Sequence, residues 1–414
     1  MSVPMISVIM PTYNSEKYVG EAVESILSQT YSDFEFLMIN EYGSDDKTVQ
    51  IVESYADPRI RVIQNTHRLG VAESLNEGIR QSRGKYIARM DSDDISLPER
   101  FERQVAFMEE RQEISICGAW ARMFGDYSGL MRYCTEPEQI KTCLLLNVEF
   151  AHPTVMFRAN DIAEKKLWYS PRFFPEDFDL FSRAAGLVLM ANIPEVLLEY
   201  RVYNNNTTKQ NIDRVISDYR IIITRTLEKN LSMAPKREQT VFLCSLKSYL
   251  TKKGDIETAR RLLNDIVTAN DRQNFYNDDL LKNLLNKHYY SLFSPYVKAD
   301  FPSEISDFIT HEAYEMGKKT VLFGTGKVFE DISSYFIVKL GNNLSGVSDN
   351  DPQKWNKMFN GLKCIPPEQL PKDIGIIVLT AYSIMPEIIA GLKNRGFSNI
   401  KPFISPVFKM GVDG

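Results

Sequence analysis

The sequence predicts an α/β protein whose first half is built on a mixed, mostly parallel sheet. Three observations carry this. Short apolar runs of strand length alternate with segments whose apolar residues repeat at helical spacing. Each run is followed by turn residues and then a helix, the pattern of repeated strand–helix units. The run Tyr86-Ile87-Ala88-Arg89-Met90 breaks abruptly into Asp91-Ser92-Asp93-Asp94, and in an open α/β sheet ligands bind beyond the carboxyl ends of the strands.

Met5 to Met10 reads as the first buried strand, ended by Pro11-Thr12-Tyr13-Asn14. Glu16 to Gln29 reads as a helix with Val19, Ala22, Val23, Ile26 and Leu27 on one stripe and Asn14 or Ser15 as N-cap. Phe34 to Ile39 is the second strand, followed by the loop Asn40 to Asp46. A helix through Val49, Val52 and Tyr55, a strand at Arg61 to Ile63, and a helix carrying Val71, Leu75 and Ile79 lead into the Asp-rich strand. Ser96-Leu97-Pro98-Glu99 has the form of a capping box that opens a helix with Phe101, Val105 and Met108 inward.

Three crowded carboxylates repel one another unless a cation joins them, and hard oxygen ligands suit Mg²⁺ or Mn²⁺. The plainer reading of Asp91, Asp93 and Asp94 is a solvated turn capping the next helix.

Composition bounds the rest. At 414 residues, with 43% hydrophobic and 25% charged, the chain has room for two or three globular domains. A net charge of −5 gives no basic field for nucleic acid. The five cysteines form no Cys-x-x-Cys pair, which fits reduced, mostly structural thiols in a cytosol. Met5 to Met10 is too short for a signal peptide, and no run of about 18 apolar residues would cross a membrane, so at most peripheral membrane contact is expected, at the inner face.

After Arg201 the polar stretch Asn204 to Thr208 ends the first domain, expected over residues 1–208. Residues 209–316 read as a helical connector, with helices at Val215 to Lys229, about Val241 to Leu250, Ile256 to Val267 and Leu280 to Leu292. Residues 317–414 start a second α/β unit, in which a strand from Lys319 enters the turn Gly324-Thr325-Gly326 and Asp349 follows the strand Leu344 to Val347. That spacing resembles a small Rossmann-like domain. Phe329 stands where a third glycine would allow close helix–strand packing, so a structural or interaction role, including homo-oligomer formation, is expected before nucleotide binding.

Pro11-Thr12-Tyr13-Asn14, Glu41-Tyr42-Gly43-Ser44 after a strand, Asn65, Gly70, Asn76, Gly84 to Ile87, Asp91 to Asp94, Leu97-Pro98-Glu99-Arg100 and Gln104 together resemble family 2 glycosyltransferases of the GT-A fold. The resemblance continues through His152 to Arg158, Pro175 to Leu180 and Tyr200-Arg201-Val202, covering the chain to about residue 205. It implies an inverting, metal-dependent glycosyltransferase that moves a sugar from a nucleoside diphosphate, with uridine as the expected base, to a hydroxyl of a glycan or lipid-linked acceptor in surface polysaccharide assembly. On this pattern Asp93 ligates Mn²⁺ or Mg²⁺, and Asp91 holds the ribose or shares the metal. Pro11, Thr12, Tyr13 and Glu41 line the nucleoside, and Asp177, with Glu176 as neighbour and rival, is the general base. His152 falls on the acceptor side, with a core or turn histidine as the equal alternative. Glu176 and Asp177 also suit plain helix capping, and Trp120 and Trp168 read as packing residues before sugar platforms.

The chain departs from the family pattern twice. Tyr42 occupies a position usually acidic, and Tyr203 stands where many members carry a histidine. The competing functional class is a nucleotide-dependent oxidoreductase or epimerase centred on the C-terminal domain, although that region lacks a Tyr-x-x-x-Lys pair of the short-chain dehydrogenase type.

Overall fold

In β1 (Ile6–Thr12), Ile6, Val8 and Met10 face one way and Ser7 and Ile9 the other, and all five are buried. A strand buried on both faces must lie inside a sheet that helices cover on each side. The computed structural model of the protein has this arrangement. It describes residues 3–203, 211–243, 253–293, 319–325, 336–337, 340, 343–379 and 385–402. They fall into two compact units, Met1–Lys236 with Gln273–Asn277, and Arg237–Arg272 with Asp278–Gly414.

In the first unit β1 lies between β2 (Phe34–Asn40) and β4 (Tyr86–Arg89), parallel to both, and β3 (Ile60–Gln64) extends the parallel set beyond β2. On the other side come β8 (Met156–Arg158), β6 (Ile114–Gly125), β9 (Leu189–Val202) and the short β5 (Ile95–Ser96), giving the order β3-β2-β1-β4-β8-β6-β9-β5, with β7 (Gly129–Met131) also on β6. Strand β8 runs antiparallel to both its neighbours, so the sheet is mixed and its first four strands wholly parallel.

Helices α1 (Val19–Leu27) and α4 (Arg100–Glu110) cover one face, packing Val19, Val23, Ile26, Phe101, Val105 and Met108 on Ile6, Val8 and Met10. On the opposite face α3 (Gly70–Gln81) and α7 (Glu176–Ala184) pack Leu75, Ile79, Leu180 and Phe181 with Ile9, Leu37 and Ile39. The turn into β4 needs Gly84, because a Cβ there would stand 2.6 Å from the Ser7 backbone nitrogen.

Two helix starts differ from expectation. Helix α1 opens at Val19, and neither Asn14 nor Ser15 caps it with a side chain; instead the Ser15 carbonyl accepts from the amides of Tyr18 and Val19. The capping box at Ser96 does not form. Ser96 belongs to β5 opposite Leu198, its amide donates to the Ser25 hydroxyl and its own hydroxyl accepts from Gln29, so α4 begins only at Arg100. Sheet pairing and buried side-chain partners satisfied the groups a cap would have used.

Helix α8 (Ile212–Leu231) belongs to the first unit, where Tyr219 stacks on Phe178 at 4.2 Å and Arg225 pairs with the buried Asp179 at 2.6 Å. Helices Lys253–Gln273 and Asp278–Phe293 follow. Of the helix expected near Val241 to Leu250, Thr240–Leu243 forms a 3-10 turn and residues 244–250 lie outside the described residues.

The second unit has its own sheet, ordered β12 (Met358–Phe359), β13 (Leu362–Ile365), β11 (Leu344–Ser348), β10 (Thr320–Phe323), β14 (Gly375–Val378), β15 (Ile400–Pro402), and parallel except at the β12–β13 hairpin. Asp349 accepts from the amide and hydroxyl of Thr325 and from Lys354, so its carboxylate fastens the turn after β10. Gly326 and Phe329 lie outside the described residues. Among the described residues no helix is long and apolar enough to cross a membrane.

Candidate active site

Strands β1, β2 and β4 end at one edge of the first sheet, and beyond them opens a cleft of about 840 Å³. Pro11, Thr12 and Tyr13 line it from β1, Glu41 from the end of β2, Asp91 and Asp93 from the end of β4, and Tyr203 from beyond β9. Arg68 and Lys17 bring positive charge to the same cleft, Arg68 lying 4.9 Å above the Tyr13 ring.

Glu41 is the joint between β2 and α3. Its carboxylate accepts from the amides of Tyr42 (2.8 Å), Leu69 (3.0 Å) and Gly70, and from Asn65 (3.5 Å). Burial opposes the charge, but these donors at a helix N-terminus hold the carboxyl below its ordinary range. Gly70 takes φ +75° there, a conformation costly for residues with a Cβ.

One oxygen from each of Asp91, Asp93 and Asp94 lies within 4.8 Å of the others. Asp93 Oδ2 accepts from the Tyr203 hydroxyl at 3.0 Å, and Asp94 Oδ1 from the Arg201 amide at 2.7 Å. Asp94 Oδ2 is buried with no hydrogen-bond partner. Burial first, and then the neighbouring Asp91, push the Asp93 carboxyl up to about 6, while burial and both neighbours drive Asp94 well above the carboxylate range. A partly buried, all-oxygen donor set with an unused oxygen fits a hard divalent cation.

Arg89, inside β4, ties this cluster to a second group of acids. Its Nη1 donates to Asp91 Oδ2 at 2.5 Å, and its backbone carbonyl accepts from the buried Arg100 at 2.8 Å. Burial disfavours its charge, but the acidic neighbours, Asp91 first, keep it firmly protonated. Glu176 and Asp177 occupy the first turn of α7, after the N-cap Pro175. Burial and Asp177 raise the Glu176 carboxyl to about 7, and burial raises Asp177 to about 6 although its Oδ1 accepts from the Phe178 amide. Asp177 is the more exposed of the two.

His152 is buried beside them, with Nε2 2.7 Å from the Tyr169 hydroxyl and Nδ1 3.7 Å from Glu176 Oε1. Burial, followed by the Arg89 charge, drives its pKa well below the ordinary value, so the ring is neutral. Asn76 of α3 fixes Tyr169 by two hydrogen bonds to its backbone, its Nδ2 donating to the Tyr169 carbonyl and its Oδ1 accepting from the Tyr169 amide, each at 2.9 Å. The structure thus gathers Pro11, Thr12, Tyr13, Glu41, Asp91 and Asp93 around one cleft. His152, Glu176 and Asp177 lie outside its lining, joined to it electrostatically through Arg89.

Arg89, Arg68 and Lys17 were not singled out from sequence. Arg89 was the most legible of them, since a guanidinium in an apolar strand run requires a buried partner. Trp120 packs in β6 and donates its indole N–H to the Tyr133 carbonyl.

Residues 7–162 match the family model described as "Glycosyl transferase family 2". A Haemophilus influenzae protein named an uncharacterized glycosyltransferase is 36% identical over 219 residues, spanning 50% of this chain and 68% of its own. The O-antigen biosynthesis glycosyltransferase WbnJ of Escherichia coli is 35% identical over 211 residues, 50% of this chain and 82% of its own. A Methanocaldococcus jannaschii protein, also named an uncharacterized glycosyltransferase, is 35% identical over 216 residues, 50% of this chain and 73% of its own. These relationships lie with the half of the chain that carries the cleft and do not favour an oxidoreductase centred on the C-terminal unit; the chain belongs to glycosyltransferase family 2.

Proposed function

We propose that the first unit transfers a sugar from a nucleoside diphosphate, uridine diphosphate by the sequence pattern, to a hydroxyl of a glycan or lipid-linked acceptor, with inversion, in assembly of a surface polysaccharide. The observation that carries this reading is the meeting, in one cleft, of the β1 and β2 ends with the carboxylates of Asp91 and Asp93, backed by the buried Asp94. The name of the relative WbnJ supports the polysaccharide context.

In this reading Thr12, Tyr13 and the wall held by Glu41 bind the nucleoside, and Arg68 and Lys17 face the diphosphate. Asp93 and Asp91 hold Mg²⁺ or Mn²⁺, which when bound neutralises charge on the leaving diphosphate. Asp177 takes the proton from the acceptor hydroxyl as its oxygen bonds the anomeric carbon, and the bond from that carbon to the phosphate oxygen breaks with its electrons going to the diphosphate. A carboxylate whose pKa is near 6 is ionised at neutral pH and is a stronger base than an ordinary aspartate. Glu176, neighboured by the neutral His152, shapes that site from behind. The C-terminal unit serves as an accessory.

The test is a panel of nucleotide sugars assayed for release of nucleoside diphosphate, with and without Mn²⁺. One donor should turn over with metal stimulation; turnover of none with a range of acceptor glycans, by folded protein, would remove this reading.

A further inference from the structure

A second group of metal-ligating side chains stands apart from the carboxylate cleft. Cys134 follows β7, Cys143 ends α5 (Pro137–Cys143) and Glu149 lies in the next loop, and one donor atom from each falls within 4.8 Å of the others. The two sulfurs are 3.8 Å apart. Two thiolates bound to one tetrahedral Zn²⁺ at about 2.3 Å each are separated by about that same 3.8 Å.

The cluster rests on a built scaffold. The Cys134 amide donates to Glu149 Oε2 at 3.2 Å, which aims the carboxylate. Asn192, buried in β9, donates through its side-chain nitrogen to the carbonyls of Cys134 (2.7 Å) and Glu149 (2.9 Å), so one amide fixes both ligand-bearing segments. Gly118 of β6 leaves the space, since a Cβ there would lie 2.2 Å from Asn192 Oδ1. Both cysteines are partly exposed, which leaves a path for an ion, whereas Cys117 and Cys364 are buried.

We propose that Cys134, Cys143 and Glu149 form a site for a thiolate-preferring divalent cation, Zn²⁺ in particular, distinct in chemistry from the all-oxygen cluster of Asp91, Asp93 and Asp94. Two soft sulfurs and a carboxylate select such an ion over Mg²⁺ or Ca²⁺. Binding forms two metal–sulfur bonds and one metal–oxygen bond and releases the two thiol protons to solvent, and a water completes the tetrahedron. The occupied site staples the segment 134–149, which follows Tyr133 directly.

The full-length protein, reduced and stripped with a chelator, is titrated with Co²⁺ as the zinc surrogate while sulfur-to-cobalt charge-transfer absorption is followed. One equivalent should carry the band, and one equivalent of Zn²⁺ should bleach it. The band should vanish in the Cys134→Ser/Cys143→Ser double variant and persist in Asp93→Asn, since carboxylates give no sulfur band. Glu149→Gln should keep the band and weaken affinity by about tenfold or more. In the unaltered protein Zn²⁺ should also slow the reaction of two thiols with a thiol reagent, a measurement that does not depend on any variant folding. Absence of the band, its survival in the double variant, or a disulfide that forms equally fast with and without Zn²⁺ would each overturn the site.

Discussion

The Tyr203 hydroxyl donates to Asp93 Oδ2 at 3.0 Å, placing a phenol where many relatives were expected to carry a histidine. A hydrogen bond to a charged group contributes about 1.5–3 kcal/mol. Tyr203→Phe should therefore raise the Mn²⁺ concentration for half-maximal transfer about tenfold, while Tyr203→His should recover part of the loss. Unchanged metal dependence in Tyr203→Phe would mean the phenol does not organise Asp93 for metal.

Asp93→Asn keeps the side-chain size and removes a charge that burial and Asp91 already disfavour. Metal-stimulated transfer should be lost, with the thermal midpoint unchanged or raised because carboxylate repulsion is relieved. Paired activity and unfolding measurements on the purified variant distinguish this from misfolding.

Asp177→Asn should lower kcat by about 10²–10⁴-fold and leave donor KM nearly unchanged. In the unaltered enzyme the base must be ionised, so with a carboxyl raised to about 6, kcat should climb as pH rises through that value and then level. A pH profile of kcat at saturating donor and acceptor checks it. If Glu176→Gln moves the profile and Asp177→Asn does not, Glu176 is the base.

Arg89→Met leaves Asp91 without its closest cation and removes the charge facing Glu176 and Asp177. Because Asp91 is partly exposed in the cleft, the cost is that of a lost hydrogen bond to a charged group, about 1.5–3 kcal/mol, and not that of a fully buried unpaired charge. Urea unfolding should show a midpoint lowered accordingly, with most of the loss restored when Asp91→Asn is added, at the expense of activity.

Glu35 is buried in β2, where burial opposes its charge but Arg83 and the Ser7 hydroxyl hold the carboxyl below its ordinary range. A carboxyl depressed in the folded state stabilises above its unfolded pKa, and that stability is lost as pH falls through the folded value. Glu35→Gln should lower stability at pH 7 and flatten its decline below about pH 4.5, the ordinary carboxylate range. Urea midpoints across an acid series measure both effects.

The strands of the first unit were legible because β1, β2 and β4 are buried on both faces and therefore read as unbroken apolar runs. The acid-rich end of β4 was legible for the same reason, since polarity changes abruptly where the sheet ends. Ser96 misled because a capping box and a two-residue edge strand have the same local sequence, and only the distant Leu198, Ser25 and Gln29 decide between them. The Cys134–Cys143 approach was invisible because the nine-residue separation reveals nothing until Asn192, more than forty residues on, fixes the loop. Glu41 was readable as a cleft residue, but its bonds to Leu69 and Gly70 depend on where α3 begins in space.

Helix α3 borders the cleft at Gly70, Val71 and Ser74, and two residues further along, Asn76 grips the backbone of Tyr169, whose hydroxyl meets His152 beside Glu176. On the function proposed above, a nucleotide sugar that displaced the first turn of this helix would carry Asn76, and with it Tyr169 and His152, in the same direction. Two substrates joined by such a lever would not bind independently, and linkage would make the effect reciprocal: whatever factor a bound donor added to acceptor affinity, a bound acceptor would return to the donor.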